Sequence, residues 1–297
     1  MIVVTGGSGF IGTHICNLLS EQGHSVRIVD IAPPPMGVKA EFVRASVLDA
    51  ARMQRLVSGA EAIVHLAALV DVNASMADPF SDFSVNAGGT LNVLEAARHA
   101  GVEKVAYASS AAVYGNPVEI PVNEEHPTSP LSPYGASKLT AERYVLLYNS
   151  LYGMKNTALR LFNVYGKGQS AHSPYSGVIT KFSDALSQGR QPIIYGNGKQ
   201  TRDFVHIDDV ANAFSLAIDS SGNNQSLNIG SGKETSIIEL LKAMCAISGK
   251  QFDPQFLPRR EGEIERSVAD YSEAREKLGY YPKMELERGL KELLAEN

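Results

Sequence analysis

A glycine-rich segment near the N-terminus constrains the fold of this chain more than any other feature of the sequence. It reads VVTGGSGFIGTHI and joins an apolar run typical of a strand to a run typical of a helix. Gly7, Gly9 and Gly12 fit the pattern G-x-G-x-x-G. With Gly6 as its first member, the segment also fits G-x-x-G-x-x-G. Glycines at this spacing permit a tight turn and bring backbone N–H groups and a helix N-terminus close to a pyrophosphate.

Asp30 ends the next apolar run, SVRIVD. An acidic side chain at this point of a dinucleotide-binding unit accepts hydrogen bonds from a ribose 2′-OH and repels a 2′-phosphate. No arginine immediately follows Asp30, so the pattern favours NAD over NADP. Taken alone, such glycines often form only a turn, and such an acid is often only solvated. The order strand, glycine loop, helix, strand and acid indicates NAD binding instead.

The order of apolar segments predicts the fold class. The first half of the chain contains five near-continuous apolar runs: MIVVTG, SVRIVD, EAIVHLAA, KVAYASS and NTALRLFN. Strands buried on both faces of a parallel sheet require such runs, and helix-like segments separate them. We therefore predict an α/β fold with a Rossmann-type doubly wound parallel sheet and a smaller C-terminal α/β substrate lobe. The expected NAD-binding domain spans residues 1–166, rejoined by part of 203–230, and the lobe spans 167–297.

Composition narrows the classes of partner and compartment. The 297 residues carry a formal net charge of −5, so we expect no general attraction to nucleic acid or an anionic membrane. The two cysteines, Cys16 and Cys245, fit a reducing compartment, and the seven histidines show no metal-ligand spacing. The sequence shows neither a signal-like N-terminus nor a long apolar run. We expect a cytoplasmic protein with no metal and no membrane span.

Tyr134 and Lys138 form a second motif, in SPYGASK. On a helix these two positions share a face. A free tyrosine has a pKa of about 10, and a nearby ammonium together with a positive nicotinamide ring would lower that pKa. A surface pair at this spacing also occurs by chance. The upstream dinucleotide loop and the serines Ser109 and Ser110 at the end of a predicted strand favour a catalytic pair.

Taken together, these motifs resemble the extended short-chain dehydrogenases/reductases, and within them the NAD-dependent nucleotide-sugar epimerase/dehydratase group. The segments that carry the resemblance are TGGSGFIG, Asp30, HLAA, Asn86, SSAAVYG, YGASK and LRLFNVYGKGQ. The resemblance implies a Rossmann fold, NAD and a UDP-sugar substrate. It implies that Tyr134 and Lys138 are catalytic and that Ser110 hydrogen-bonds the reacting hydroxyl.

The resemblance also implies a set of cofactor-binding residues beside Tyr134 and Lys138. They are Gly6, Gly9, Phe10, Ile11, Gly12, Asp30, Val47, Leu66, Ala67, Ala68, Asn86 and Ser109. One position near the expected adenine pocket departs from the family. Ser46 stands where the family often has an aspartate, while Asp49 is kept. We expect a weaker contact with the adenine there.

Ala111 and Ala112 narrow the range of reactions that we expect this chain to catalyse. Family members that eliminate water have an Asp-Glu pair directly after the active-site hydroxyl residue, and the decarboxylases keep the second acid. A methyl group neither donates nor accepts a proton. Two small residues could also serve close packing at the strand end, which is compatible with this interpretation. The expected chemistry is reversible hydride transfer alone, as in a UDP-hexose 4-epimerase.

The second lobe matches the substrate-binding pattern of the family. The resemblance assigns the UDP-sugar to Ser110, Asn163, Val178, Tyr195, Arg202, Arg260, Ser267 and Asp270. Among these, Arg202 and Arg260 are expected to clamp the diphosphate, since a guanidinium matches phosphate in a bidentate fork. Either arginine alone is more typical of a surface ion pair. The resemblance also implies that residue 267 lies near the C2 substituent of the sugar. Ser267 is small and would leave room there for an N-acetyl group, so UDP-GlcNAc and UDP-GalNAc are expected substrates beside UDP-glucose and UDP-galactose.

Three alternatives stay open at this stage. They are a 4-epimerase of another nucleotide sugar such as UDP-glucuronate, a nucleotide-sugar reductase, and a non-catalytic NAD-binding protein on the same fold. Asp30 disfavours the reductase, which usually prefers NADPH. A non-catalytic protein has little reason to keep Ser110, Tyr134 and Lys138 together. The resemblance further implies a homodimer that pairs helices over residues 86–99 and 134–152, although Leu139, Val145 and Leu146 could equally pack on the sheet.

Overall fold

Twelve strands are assigned in the described part of the chain, residues 1–169, 177–220, 225–259 and 264–295 of the computed structural model. They are β1 (Ile2–Thr5), β2 (Val26–Asp30), β3 (Glu41–Arg44), β4 (Ala62–His65), β5 (Val105–Ser110), β6 (Thr157–Leu161), β7 (Asn163–Tyr165), β8 (Ile193–Tyr195), β9 (Thr201–His206), β10 (Ser226–Ile229), β11 (Glu234–Ser236) and β12 (Gln255–Leu257). All five strands expected from the apolar runs are present. The half-exposed β3 lacks the continuous apolar character that would have predicted it.

The helices alternate with these strands. They are α1 (Phe10–Glu21), α2 (Ala50–Leu56), α3 (Val72–Ala77), α4 (Pro79–Phe83), α5 (Gly89–Ala100), α6 (Pro133–Tyr152), α7 (Val178–Ser187), α8 (Ile207–Asp219), α9 (Ile237–Ser248), α10 (Ser272–Leu278) and α11 (Leu286–Leu294). A π-helical turn, Ser84–Gly88, joins α4 to α5, and a 3₁₀ turn, Ala111–Val113, follows β5. α6 begins at the N-cap Ser132, whose side chain accepts from the amide of Gly135 at 3.1 Å.

Seven strands form one parallel sheet in the order β10-β6-β5-β4-β1-β2-β3. The sheet has an apolar core on each face, and successive side chains of a strand pack into opposite cores. Val4 packs on the side of α1 and α8, whereas Val3 packs on the side of α2, α5 and α6. This doubly wound arrangement confirms the predicted Rossmann-type fold class. The carboxyl ends of the parallel strands lie at one edge, where ligands bind in such folds.

The remaining strands form smaller sheets. β9 pairs with β7 in parallel and with β11 antiparallel, and β8 pairs with β12. A separate apolar core lies beneath them, built from side chains of α7, α9 and α11 such as Phe182, Leu240 and Leu290. β9 belongs to a small sheet, but the helix that follows it, α8, packs on the large sheet beside α1. The division into two domains near residue 166 stays a prediction.

Candidate active site

The loop between β1 and α1 needs glycine at two positions because other parts of the chain approach it closely. Gly6 has a φ of +71°, and a Cβ on it would lie 2.6 Å from the backbone nitrogen of Ala67. A Cβ on Gly12 would lie 2.4 Å from the carbonyl oxygen of Gly6. A side chain at either position would therefore push α1 or the segment after β4 away from the turn.

The N-terminus of α1 offers donors to an anion. Gly9 is its N-cap residue, no side chain of the described residues caps it, and its first turn contains no acid. The amide groups of the first turn, including those of Phe10 and Ile11, have no partner within the helix. Beside them the hydroxyl of Ser8 is buried without a hydrogen-bond partner in the described structure. These donors and the helix dipole fit a diphosphate group.

Asp30 lies at the end of β2 and touches the glycine loop. Its carboxylate accepts from the amide of Ser8 at 3.0 Å and from the amide of Ala32 at 3.1 Å. Two carboxylate oxygens offer about four acceptor positions, so capacity for ribose hydroxyls remains. Asp30 therefore holds the loop in shape and can also bind the sugar. Together with the uncapped helix, it makes the site fit a dinucleotide without a 2′-phosphate.

The expected adenine side is built differently from the loop. Val47 is buried, and a Cβ on Gly89 would lie 2.6 Å from its Cγ2, so this valine packs tightly against α5. The hydroxyl of Ser46 accepts from the amide of Leu48 at 3.2 Å. Asp49 is the N-cap of α2 and accepts from the amide of Arg52 at 3.0 Å. Asp49, the acid that this segment shares with the family, therefore caps the N-terminus of α2.

Three residues with the chemistry of an alcohol dehydrogenation site meet at the carboxyl edge of the sheet. Ser110 ends β5, and its hydroxyl acts on the pKa of the Tyr134 phenol near the start of α6. Lys138 lies one turn further along α6 and is buried, with Nζ 4.5 Å from the ring centroid of Tyr107. The structure thus places Ser110 at the end of β5 and both Tyr134 and Lys138 on the first turns of α6, and their catalytic roles stay a prediction.

Burial acts on the pKa values of both Tyr134 and Lys138. Burial raises the pKa of Tyr134, the hydrogen bond from Ser110 acts the other way, and the charge of Asp82 raises the pKa further. The expected lowering of the Tyr134 pKa included the charge of a nicotinamide ring and stays a prediction, whereas the protein groups alone raise that pKa. Burial also lowers the pKa of Lys138 to about 7, against the upward effect of the carboxylates of Asp82 and Glu142. A positive nicotinamide ring is the remaining charge that would favour the phenolate.

Asn86 lies in the π-helical turn and is buried among protein groups. Its side-chain oxygen accepts from the amide of Leu69 at 2.8 Å, and its nitrogen lies 2.9 Å from the carbonyl oxygen of Leu69. The same nitrogen lies 3.0 Å from Asp82 Oδ2 and 3.1 Å from Ser137 Oγ. Asn86 was expected to contact the cofactor, but its amide is occupied by protein partners. It fixes the segment after β4.

That segment begins with Leu66, Ala67 and Ala68, three half-buried residues assigned to the cofactor. The amide of Leu66 donates to the carbonyl of Thr5 at 3.0 Å, which extends the pairing of β4 with β1. Ala67 is the residue that closely approaches Gly6. The segment therefore lies directly against the glycine loop, where the cofactor is expected.

A buried network beneath the catalytic residues was not predicted from the sequence. The hydroxyl of Ser109, which was assigned to the cofactor, donates to Glu142 Oε2 at 2.6 Å. Arg160 on β6 donates to both carboxylate oxygens of Glu142, through Nη2 at 2.6 Å and Nε at 3.0 Å. Burial raises the pKa of Glu142, but Arg160 and Ser109 outweigh this effect and hold that pKa below its usual value. Ser109 thus faces α6.

Ala111 and Ala112 form the 3₁₀ turn directly after Ser110. The amide of Ala112 donates to the Ser110 hydroxyl at 3.2 Å, so this turn holds the hydroxyl oxygen in place. Both alanines are half-buried. The strand end therefore presents one hydroxyl followed by two methyl groups.

Most residues assigned to the substrate lie in the smaller sheets and the segments beside them. Asn163 is exposed at the start of β7, and Val178 is the first residue of α7, whose N-terminus receives no side-chain cap from the described residues. The half-buried Tyr195 and Arg202 lie on β8 and β9. Ser267 is buried. Arg260 lies outside the described residues.

Asp270 and Asp203 organise the chain near the assigned substrate residues. Asp270 Oδ1 accepts from the amide of Ser272 at 2.9 Å, ahead of α10. The buried carboxylate of Asp203, next to Arg202, accepts from the amides of Ser231, Gly232 and Ala269 and from the Ser231 hydroxyl, over 2.6–3.0 Å. Asp203 therefore ties β9 to two loops. Sequence reasoning missed it because all of its partners are distant along the chain.

A doubly wound parallel sheet, an uncapped helix behind a glycine loop and a Ser–Tyr–Lys group at the same sheet edge define a dinucleotide-dependent enzyme that acts on an alcohol or ketone. Comparison with known proteins gives the family. The model of the NAD dependent epimerase/dehydratase family matches residues 2–230, and the chain belongs to this family. Its cofactor is NAD, as the predicted glycine loop and Asp30 indicated.

Full-length relatives support this assignment. The chain is 40% identical to a UDP-glucose 4-epimerase of Mycolicibacterium smegmatis, over 97% of this chain and 95% of that protein. It matches the crystal structure of UDP-glucose 4-epimerase with UDP-glucose from Thermotoga maritima at a TM-score of 0.95 and 36% identity, covering 99% and 97% of the two chains. A UDP-N-acetylglucosamine 4-epimerase from Methanobrevibacter ruminantium, in complex with UDP-N-acetylmuramic acid, matches at 0.94 and 33%, covering 99% and 96%.

The helices and the acidic, histidine and cysteine side chains of the described ranges bear on membrane spans and metal binding. Within those ranges, none of the helices combines the length and apolar character needed to cross a bilayer. No group of three or more His, Cys, Asp or Glu side chains among them could hold a metal ion.

Proposed function

We propose that the protein is a UDP-hexose 4-epimerase that interconverts UDP-glucose and UDP-galactose. The observation that carries the proposal is the position of Ser110 at the end of β5, where its hydroxyl acts on the phenol of Tyr134 and the next two side chains are methyl groups. This arrangement can move a proton at a hydroxyl group but has no second acid or base at residues 111 and 112. The similarity to UDP-glucose 4-epimerases over nearly the whole chain supports the same activity.

The proton transfer in the proposed reaction belongs to Tyr134. Its phenolate oxygen accepts the proton of the sugar 4-OH while the Ser110 hydroxyl orients that oxygen, and the phenol later returns the proton. When bound, NAD supplies a reversible acceptor for the hydride at C4. Lys138 stabilises the phenolate by its charge. The side chains of Arg202 and Arg260 hold the diphosphate while the oxidised sugar turns to present its other face.

Dehydration and decarboxylation need another proton-transfer group near the sugar. Ala111 and Ala112 follow Ser110 directly, and neither can donate or accept a proton. The proposed reaction is therefore limited to inversion at C4, and no net oxidation or reduction of the sugar takes place. Because NAD is regenerated in each cycle, the proposal includes a cofactor that stays bound.

The proposed substrate range includes the 2-acetamido sugars. Ser267 is small and buried, beside the segment whose amide groups and carbonyls pair with Val122. Tyr195 is proposed to stack on the uracil, and the N-terminal amide groups of α7 at Val178 are proposed to donate to its carbonyl groups. Asn163 and Asp270 complete the proposed site as contacts to the diphosphate and the ribose. The similarity to a UDP-N-acetylglucosamine 4-epimerase supports the wider range.

A homodimer in the cytoplasm remains part of the proposal. Val145 is completely buried in the core against the sheet, so it does not belong to a dimer face. Tyr144, Leu147 and Leu151 on the opposite side of α6 are 39%, 45% and 59% exposed, and these side chains would be covered in a dimer. Light scattering of the purified protein tests this: a mass near 32 kDa would contradict it.

Turnover by the purified protein without added NAD tests the proposed function. UDP-galactose, UDP-GalNAc and UDP-galacturonate are each incubated with the enzyme, and the C4 epimers are separated and measured. We expect conversion of the first two, with NAD released only on denaturation. Conversion of UDP-galacturonate alone would favour the uronate epimerase, and a need for added NADPH would favour a reductase.

A further inference from the structure

Asp82 is a buried carboxylate next to the catalytic helix. It lies on α4 and is 1% exposed. Its Oδ1 accepts from the hydroxyl of Ser137 at 2.5 Å, and its Oδ2 accepts from the side-chain nitrogen of Asn86 at 3.0 Å. Ser137 directly precedes Lys138 on α6, and its hydroxyl also lies 3.0 Å from the carbonyl oxygen of Tyr134. Ser137 therefore connects Asp82 to the helical turn that carries the catalytic pair.

The hydrogen-bond partners of Asp82 are neutral. In the described parts of the chain, no cationic side chain bonds to it, whereas Glu142, another buried carboxylate on the neighbouring helix α6, is paired bidentately with Arg160. A buried charge needs a compensating charge nearby. Lys138 is a buried cation at this place, and it has no carboxylate within ion-pair distance among the described residues. Asp82 and Lys138 are therefore two buried groups of opposite charge, and Ser137 links them along the chain and through its hydrogen bond.

We propose that Asp82 is a positioning residue for the reaction: its carboxylate is the counter-charge of the Lys138 ammonium and sets the pH range in which Tyr134 and Lys138 work together. It does not touch the substrate in this proposal. It acts through charge, and Ser137 and Asn86 hold it in place.

The other titratable groups around the pair do not supply this charge. His65 on β4 is buried with a pKa lowered to about 3 by burial and by Lys138, so it is neutral at neutral pH. Burial raises the pKa of Tyr107 on β5 far above its usual value, so it is also neutral. The charge of Glu142 on α6 also acts on Lys138, but Arg160 balances it. Asp82 remains as the uncompensated anion.

The sign of the expected effect follows from the direction in which Asp82 acts. Its negative charge raises the pKa of Tyr134 and that of Lys138. Removing the charge should lower both, so both limbs of the pH–rate profile should move to lower pH. A residue with a merely structural role would reduce the rate and leave both limbs in place.

The pH profile of kcat in the Asp82→Asn variant tests the proposal, which here rests on the proposed epimerase activity. We expect both limbs to shift down by at least half a pH unit, and Asp82→Glu, which keeps the charge, to restore their positions at a reduced rate. Asp78→Asn is the matched control, because it removes an exposed carboxylate from the N-cap of the same helix and asparagine also caps well. A lower rate with unshifted limbs would overturn the proposal.

A double-mutant cycle on unfolding tests the charge coupling without any activity. If Asp82 and Lys138 compensate one another, Asp82→Asn combined with Lys138→Met should unfold in urea at a higher concentration than the two single effects predict by addition. Strictly additive effects would overturn the pairing. Inactive wild-type protein with a coupled cycle would instead contradict only the proposed reaction.

Discussion

Arg160 binds both carboxylate oxygens of Glu142 in the interior, where the side chains are 4% and 0% exposed. The pair joins β6 to α6, and Ser109 attaches the end of β5 to the same carboxylate. Ser109 immediately precedes Ser110, and Glu142 lies two turns after Tyr134 on α6. The distance between the two residues proposed to act on the sugar hydroxyl is therefore fixed by a buried ion pair behind them.

Removing one partner of this pair should be strongly destabilising. Arg160→Met leaves an uncompensated buried carboxylate, and such changes cost about 3–5 kcal/mol of unfolding free energy. Arg288→Met, which breaks an ion pair with both partners at least half exposed, should cost less than about 1 kcal/mol. Urea unfolding of both variants measures the difference. Equal small losses would mean that Arg160 does not hold the structure together.

The role proposed for Tyr134 predicts a selective loss of turnover. Tyr134→Phe removes the hydroxyl that takes the proton, and loss of a general acid–base group lowers kcat by about 10²–10⁴-fold. Bound NAD and the unfolding midpoint should stay close to wild type. Tyr144→Phe, at an exposed position of the same helix, should leave turnover unchanged. A coupled assay of UDP-galactose conversion measures turnover. A Tyr134→Phe rate within threefold of wild type, roughly 0.7 kcal/mol in activation free energy, would refute the proposed role.

The glycine loop predicts a selective loss of cofactor. A Cβ on residue 12 would meet the carbonyl oxygen of Gly6 at 2.4 Å, so Gly12→Ala must move α1 away from the loop. We expect at least a tenfold loss of NAD retained through purification, measured after denaturation. At Gly88 the same change meets only the carbonyl oxygen of Phe83 at 4.0 Å, so Gly88→Ala should keep its NAD. Full retention in Gly12→Ala would contradict this account of the loop.

His65 predicts how stability depends on pH. Its two ring nitrogens are hydrogen-bonded to the hydroxyl groups of Thr5, at 2.6 Å, and Thr90, at 2.9 Å. Burial lowers the pKa of His65 to about 3 in the folded protein. Between pH 6.5 and 3 the unfolded chain binds more protons than the folded one at this residue, so stability falls as the pH falls. One proton contributes about 1.4 kcal/mol per pH unit.

Urea unfolding from pH 6 to pH 4 checks this dependence. His65→Gln is expected to be less stable than wild type but to have a shallower slope against pH by about one proton. His99→Gln, which changes a half-exposed histidine on α5, should keep the wild-type slope. An unchanged slope in His65→Gln would show that His65 is not the group that takes up the proton.

The sequence predicted the parts of the site that depend on local spacing. Gly6, Gly9 and Gly12 belong to one turn, and Tyr134 and Lys138 to one helix face, so a periodic pattern reveals them. Asp82 could not be found in this way, because it meets Ser137 55 residues further along the chain. The burial of Tyr134, which raises its pKa, was likewise not evident from spacing, because it depends on how α6 packs against the sheet.

The buried network behind the site was missed for the same reason. Arg160 on β6 meets Glu142 and also donates to the hydroxyl of Tyr114 at 2.8 Å, which lies 46 residues away. Tyr114 in turn donates to Asn228 Oδ1 at 2.7 Å, across 114 residues. Each of these side chains looks ordinary in its own segment, and only the order of the strands in the sheet brings them together.

The size of residue 267 predicts which sugars are turned over. Ser267→Tyr should fill the space proposed for an N-acetyl group and lower kcat/KM for UDP-GalNAc by at least 100-fold, roughly 3 kcal/mol. In the same preparation, kcat/KM for UDP-galactose should fall less than tenfold, which separates loss of the pocket from loss of the fold. Ser267→Ala keeps a small side chain and should convert both sugars. Equal losses for both sugars in Ser267→Tyr would remove Ser267 from the sugar pocket, because a residue beside the C2 substituent must distinguish an acetamido group from a hydroxyl.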